Sequence, residues 1–417
     1  MAQQFDVIVV GAGMVGATLA RALADLPLRI ALVDAMPLPG PARTVTTGSG
    51  YDARVSAISA ASEHIFANLG VWQRLPAAGR SPYRFMRVWD AEGTGEIGFD
   101  ADALGELRLG HVVENHLIQD ALLESLAEIG VRLFGEQRVE GLVQEPDSWR
   151  LLLEGGNYLQ APLVVAADGA KSKLRELAGF AMREWDYLHN AIVTTVQTER
   201  PHQATAWQRF MPTGPLALLP LNDRNQAHYC SIVWSVVPEH AGRIMALDDA
   251  AFLRELEEAF ESRLGRILAA DQRHRIPLRQ RHARRYAMPG LVLIGDAAHS
   301  IHPLAGQGVN LGLLDAAELF DVVRAALQRG EGIGALSVLQ RYERRRMGAN
   351  LGMMAAMEGF ERLFHANALP LRWIRNTGMR LLDGQSLLKG GIMRRAMGLA
   401  GELPSLARDP EAASPGL

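Results

Sequence analysis

The sequence predicts an α/β fold, a parallel sheet wound with helices that holds a dinucleotide at its first crossover. Three observations predict it. An N-terminal strand runs into a glycine turn, a helix and a second strand that ends in an acid. Two later passages, near residues 163–175 and 291–315, again run from an apolar strand through a turn into a helix. Strands that alternate with helices in this way call for a parallel sheet. At 417 residues the chain exceeds the about 250–300 residues that one core usually serves, so two or three cores are expected.

The first element is "QFDVIVVGAGMVGATLARALADLPLRIALVDA". Residues 5–10 form a short β-rich run, a helical segment extends to about Leu26, and a second strand over 29–33 ends at Asp34. Gly11 permits the tight turn, Gly13 lets backbone approach a pyrophosphate, and Gly16 lets helix and strand pack closely. The free N–H groups of the helix start, from Met14 onward, face the anion. Asp34 stands where a carboxylate hydrogen-bonds a ribose hydroxyl, and an acid there argues against a 2′-phosphate. The Rossmann-type unit therefore takes NAD or FAD rather than NADP.

The second element is "LQAPLVVAADGAKSKLRELAG", a strand over 163–167 that stops at Asp168-Gly169 before a helix with Ser172 and Arg175 in its first turns. Asp168 suits either a helix cap or a ligand contact. The third is "LVLIGDAAHSIHPLAGQGVNLGLLD", in which a strand over 291–294 ends in Gly295-Asp296 and Gly306-Gln307-Gly308-Val309-Asn310 leads into a helix. An acid after such a strand can accept from a sugar-like hydroxyl. A glycine-rich helix start can offer N–H groups to a carbonyl or to a ring that gains negative charge.

His299 and His302 stand three residues apart, but no third ligand completes a metal cluster, so both read as pocket or packing residues. No Ser-His-Asp set can be anchored and no G-x-S-x-G occurs. Trp207, Trp234 and Tyr187 read as core or pocket lining.

The bulk composition is that of a globular protein, 48% hydrophobic and 21% charged, and a net charge of −3 supplies no reason to expect nucleic acid. A single cysteine, Cys230, rules out an internal disulfide framework and fits a reducing compartment. With no leader pattern and no apolar run of about 18 residues, the expected location is the cytoplasm, compatible with lying on a membrane surface. From Arg341 to Gly398 there are 11 Lys/Arg against 4 Asp/Glu and 7 of the 15 Met, which predicts helices with apolar faces and basic edges. Beyond Glu402 the chain reads as a frayed tail.

The G-x-G-x-x-G at 11–16, "ADGAKSKLR" at 167–175 and "GDAAHSIHPLAGQGVN" at 295–310, in this order, resemble the single-component flavin-dependent aromatic hydroxylases typified by para-hydroxybenzoate hydroxylase. More narrowly, "ARVSAISAASEHIFANLGVW", "GHVVENHLIQDAL" and "HPLAGQGVNLGLLDAAEL" resemble the ubiquinone-biosynthesis hydroxylases, nearest the 2-polyprenylphenol hydroxylase branch. "SPYR" and "LPLRWIRNTG" are similar to the branch acting later, on a methoxylated quinol. A flavin-dependent isoprenoid reductase shares both the FAD signatures and a lipid substrate and stands as the other alternative.

The resemblance implies FAD as cofactor, NAD(P)H as electron donor and O2 as cosubstrate, with a polyprenylated phenol hydroxylated through a C4a-hydroperoxyflavin. It implies that Gly11, Gly13, Met14 and Gly16 cradle the pyrophosphate, that Asp34 holds the adenosine ribose and that Arg54 lies over the cofactor. Asn115 stands where the family often carries Arg or Gln near the ribityl chain. Asp168 and Gly169 would line the channel used by FAD and the donor, and Gly295-Asp296 would meet the ribityl chain. Pro303, Gly306, Gln307, Gly308, Val309 and Asn310 would face the isoalloxazine. His302 and Tyr187 are the candidates for polarising the phenol.

The implied architecture is a discontinuous FAD domain over 1–75, 105–180 and 285–330, with an interleaved β-sheet substrate domain over 76–104 and 181–284. A helical region over 331–400 and a flexible tail over 401–417 follow. "NAIVTTVQTE", "LALLPL" and "HYCSIVWSVV" have the β character that the substrate layer requires. A polyprenyl substrate further implies partners of the same pathway, in a biosynthetic complex, and membrane contact through the Met-rich basic helices.

Overall fold

The computed structural model describes residues 3–38, 48–91, 95–222, 228–300, 308–365 and 385–410, save for the side chains at 186–188, 360–365, 386–388 and 396. Its first sheet has the order Ala287–Met288, Leu291–Leu293, Leu163–Ala166, Val7–Val10, Ile30–Val33 and Arg132–Phe134. All neighbours run parallel except the two-residue edge strand Ala287–Met288. Every residue of the four central strands is buried. That is why they read as unbroken apolar runs: helices and the antiparallel strands Trp149–Leu153 and Tyr158–Ala161 share their core, so no position alternates toward water.

The register of this sheet assembles the three motifs. Val10 lies beside Val33 and Ala166, and Ala166 beside Leu293. The ladder continues one residue further, with Gly11 N–H donating to Val33 O and Ala167 N–H to Val10 O, each at 2.8 Å. The turns after residues 10, 166 and 293 therefore leave from one edge, at the carboxyl ends of the strands, where open α/β sheets bind ligands.

The second large sheet has the order His299–Ser300, His274–Ala283, Met182–Thr198, Tyr229–Val236, Leu216–Leu221, Thr205–Phe210, Phe85–Asp90 and Glu96–Asp100, with Ile267–Ala270 also paired to Met182–Thr198. The three segments with expected β character all lie in it. One core packs the parallel sheet against helices Met14–Leu23, Asn115–Glu128 and Gly308–Gln328. Another, with Ile192, Ile232 and Trp234, packs the larger sheet on helices Pro238–Ala246 and Asp249–Ala259. Trp207 packs on that second core and Trp234 is buried in it.

Some strands cross the expected divisions. Arg80–Tyr83 pairs with Gly110–Glu114, which also pairs with Val55–Ser59, so it leaves the larger sheet. His299–Ser300, inside the third motif, pairs with residues 281–282 and ties that motif to the larger sheet.

The expected flexible tail is corrected over 403–408. Asn68 Nδ2 donates to Leu406 O at 2.8 Å and Arg408 O at 2.9 Å, Ser405 N–H donates to Asp321 Oδ2 at 2.6 Å, and Ala407 is fully buried. These caps satisfy backbone groups that polarity and proline alone cannot reveal. The helices Leu336–His365 and Ser386–Ala396 form the C-terminal region, and no helix among the described residues is long and apolar enough to cross a membrane.

Candidate cofactor site

Gly11 adopts φ +105°, and a Cβ built there would stand 2.3 Å from Ala167 O and 2.7 Å from Asp168 N. Only glycine tolerates both the conformation and the approach. A Cβ on Gly16 would meet Gly11 O at 1.9 Å and Ala167 Cβ at 3.0 Å. The first and second motifs therefore touch through glycines. A Cβ on Gly312 would meet Val15 Cγ2 at 2.7 Å and Gly295 Cα at 3.1 Å, which joins the third motif to the same helix start. Gly312 is a close-approach glycine that sequence reasoning missed. Its signal is weak, because glycine inside a helix has no single meaning.

Gly13 differs from these. It precedes the helix at φ −65°, ψ 172°, and a Cβ there would meet no atom of the described residues within 4 Å. Helix Met14–Leu23 has no acid in its first turn, and neither has helix Gly308–Gln328. Two helix starts free of competing carboxylates thus sit on the site, each with N–H groups that lack an intrahelical acceptor.

Asp34 accepts from Ala12 N–H at 2.6 Å through one oxygen and from Met36 N–H at 2.8 Å through the other. A carboxylate has about four lone-pair sites, so it stiffens the glycine turn and keeps capacity for a ribose hydroxyl. Gln119 Nε2 braces the same turn by donating to Ala12 O at 2.8 Å, a contact between residues too distant in the chain to be legible. Asn115 starts its helix and accepts from Ser56 Oγ at 2.7 Å, while its N–H donates to Arg54 O at 2.9 Å. Arg54 is exposed, and its charge reaches Asp296, where it opposes the rise in pKa that desolvation causes.

Asp168 serves its expected role as a helix cap. Its Oδ2 accepts from Lys173 N–H at 2.7 Å and Leu174 N–H at 3.1 Å, capping the short helix Lys173–Leu177. Its Oδ1 is buried with no partner, and desolvation raises the carboxyl pKa against those bonds. A buried oxygen without a donor is costly unless a ligand supplies one. The adjacent Gly169, at φ +81°, has open space where a side chain would stand. Arg175 donates to Ala297 O at 3.0 Å and Ala170 O at 2.8 Å, stapling the second motif to the third.

Gly295, at φ +57°, turns the third loop so that Asp296 stays solvent-accessible. Surrounding protein still desolvates the Asp296 carboxyl and raises its pKa, partly opposed by His299 and Arg54. Asn310 is buried and its side chain is spent on the scaffold: Oδ1 accepts from Ser59 N–H at 3.0 Å and Nδ2 donates to Ala57 O at 2.8 Å. Val309 is half-buried against the first core. His299 is a buried partner of Asp315 rather than a pocket residue.

His302, Pro303, Gly306 and Gln307 lie outside the described residues, as does the Tyr187 side chain, whose backbone runs in strand Met182–Thr198. No group of His, Cys, Asp and Glu suited to a metal occurs among the described residues.

The residues present fit FAD: a backbone cradle open at Gly13, an acid with spare acceptor capacity at Asp34, an orphaned buried oxygen at Asp168 and an accessible acid at Asp296. The family model described as "FAD binding domain" matches residues 4–355. The chain is similar to the 3-demethoxyubiquinol 3-hydroxylase of Escherichia coli, with 39% identity covering 95% of this chain and 99% of that protein. It is also similar to the ubiquinone hydroxylase UbiL of Rhodospirillum rubrum, 35% identical over 97% of this chain and 92% of that one. Its fold matches the crystal structure of the p-nitrophenol 4-monooxygenase PnpA from Pseudomonas putida with a TM-score of 0.78 at 19% identity, covering 96% and 99% of the two chains. The chain therefore belongs to this FAD-binding family, among the flavin-dependent monooxygenases that are ubiquinone-biosynthesis hydroxylases.

Proposed function

We propose that this enzyme hydroxylates the aromatic ring of a polyprenylated ubiquinone precursor, using O2 and a nicotinamide donor, NAD(P)H. The observation that carries the reading is the end-to-end likeness to the Escherichia coli 3-demethoxyubiquinol 3-hydroxylase. Of the two branches weighed from the sequence, that relative favours the later quinol over the simpler polyprenylphenol.

Bound FAD supplies hydride acceptance and oxygen activation, so the chain itself needs few reacting groups. Gly11, Gly13, Met14 and Gly16 present backbone to the pyrophosphate, with Asp34 toward the ribose. Asp296 accepts from the ribityl chain, flanked by Arg54 and Asn115, and Asp168-Gly169 line the channel for the donor. Pro303 and the backbone of Gly306, Gln307, Gly308, Val309 and Asn310 would face the isoalloxazine. His302 and Tyr187 polarise the ring hydroxyl, and the sheet layer excludes water from the reacting face.

The test is product mass after anaerobic reduction of the holoenzyme with a short-chain prenylated quinol bound, followed by mixing with ¹⁸O2. One labelled oxygen on the ring supports the reading, and fragmentation locates it. Flavin reoxidised by the substrate before O2 is admitted, with unlabelled and more saturated product, would instead favour the isoprenoid reductase. Partners of the same pathway and an anionic membrane surface are the proposed sources of substrate. Reversing the charges of Arg372, Arg375 and Arg380, which lie outside the described residues, is expected to lower binding to anionic vesicles. Unchanged binding refutes the membrane contact.

A further inference from the structure

Behind the third cofactor loop lies a carboxylate that no backbone motif accounts for. Asp315, in helix Gly308–Gln328, is fully buried. Its Oδ2 accepts from Gly295 N–H at 3.1 Å and lies 2.5 Å from His299 Nε2. Its Oδ1 accepts from Arg346 Nε at 2.7 Å and Asn350 Nδ2 at 3.1 Å. Four donors fill the acceptor capacity of one carboxylate. Burial alone would raise the Asp315 pKa, but His299 and Arg346 outweigh it and hold it at about 2.

The four donors come from two places. Gly295 and His299 bracket Asp296 in the cofactor loop. Arg346 and Asn350 stand one turn apart on helix Leu336–His365, joined to each other at 2.9 Å. The Arg346 guanidinium is buried and also donates to Leu311 O at 3.3 Å. The loop, helix Gly308–Gln328 and the C-terminal helix thus share one buried anion.

A buried ion cluster is a poor source of stability, since apolar residues of similar volume do as well or better. What it supplies is direction, because each charge-assisted bond holds its donor at a set place. Its field also reaches Asp296, which His299 and Asp315 influence with opposite signs.

We propose that Asp315 is a positioning residue for the cofactor loop. Together with His299 and Arg346 it fixes the Gly295-Asp296 corner against helix Leu336–His365, so FAD affinity depends on a charge buried behind the loop. The inference rests on Asp296 as a cofactor ligand.

The experiment measures FAD affinity by fluorescence titration of apoprotein, the visible circular dichroism of the bound flavin and the melting temperature of the apoprotein. The variants are Asp315→Asn, Asp296→Asn, Asn350→Ala and Glu318→Gln. Glu318→Gln breaks the Arg345 pair at 2.7 Å on the same helix but leaves the Asp315 cluster intact. Asp315→Asn is expected to weaken FAD binding about tenfold or more, the worth of one charge-assisted hydrogen bond, and to alter the visible dichroism. Glu318→Gln is expected to change neither.

Asp315→Asn with affinity within about twofold of wild type and unchanged dichroism overturns the inference, even if its melting temperature falls. Should that variant not fold, Asn350→Ala decides, with about threefold weaker binding expected and unchanged binding overturning the inference. If Asp296→Asn binds FAD as wild type does, the assignment of Asp296 fails and the inference with it. If Asp296→Asn alone is weakened, only the positioning role fails.

Discussion

Two alanine substitutions three residues apart separate the cofactor from the fold. At Gly13 the backbone is extended at φ −65°, ψ 172°, where any residue is comfortable, and an added Cβ meets no atom of the described residues within 4 Å. Gly13→Ala should therefore behave as an open surface change, within about 0.5 kcal/mol, and move the apoprotein melting temperature by no more than about 2 °C. On the proposed placement of FAD, the methyl group would stand where the pyrophosphate approaches. Losing one charge-assisted hydrogen bond there costs about 1.5–3 kcal/mol, or roughly ten- to a hundredfold in affinity.

Gly16→Ala is the opposite case. Its Cβ would lie 1.9 Å from Gly11 O, so helix and turn must part by more than ~1 Å to reach ordinary contact. Overpacking of this kind costs about 1–3 kcal/mol or more, offset by at most ~1 kcal/mol of helix propensity. Melting of the apoprotein and fluorescence titration with FAD, run on both variants, decide the matter. The reasoning is refuted if Gly13→Ala destabilises the apoprotein as much as Gly16→Ala does, or if Gly13→Ala binds FAD as wild type does.

Three further outcomes are expected. Glu63 feels desolvation that raises its pKa, but His111 at 3.0 Å and Arg108 outweigh it and lower the carboxyl from 4.5 to about 2. That difference corresponds to ~3 kcal/mol. A depressed carboxylate contributes stability above its unfolded pKa and loses it as pH falls through the folded one. Acid unfolding of the wild type should therefore steepen between pH 4.5 and about 2, and Glu63→Gln should flatten that part of the curve. Asn310→Ala leaves Ser59 N–H and Ala57 O unpaired in a buried place, and it should lose about 2–4 kcal/mol in chemical denaturation. Cys230 is fully buried and desolvation pushes its thiol pKa up. It should resist an aromatic disulfide reagent in the native protein and react at once in denaturant.

Much of the cofactor site was legible because its requirements are local. A glycine turn between a buried strand and a helix needs particular residues at particular spacing, and 11–16 announces itself alone, whereas 168–169 reads as an ordinary helix cap until it is set beside 11–16 and 295–310. The β layer was legible for a related reason, since "LALLPL" and "HYCSIVWSVV" carry their burial in their composition. The supports behind these motifs were not. Asp315 reads as an ordinary polar position on a helix, and its donors Arg346 and Asn350 come 31 and 35 residues later. Gln119 reads as a solvated helix residue, and Asn310 as part of a backbone motif rather than a clamp on residues 57–59. The docked segment 403–408 looks like a tail because its anchors, Asn68 and Asp321, lie far up the chain.

By itself, then, the sequence determined three strand–turn–helix passages and the dinucleotide signature of the first, because backbone conformation and burial are set by residues adjacent in the chain. The tertiary structure alone decided which buried polar groups pair and which carboxylate each loop leans on. Hydrogen bonds and ion pairs depend on distances of a few ångströms between residues separated by tens or hundreds in sequence, and no local pattern encodes those distances.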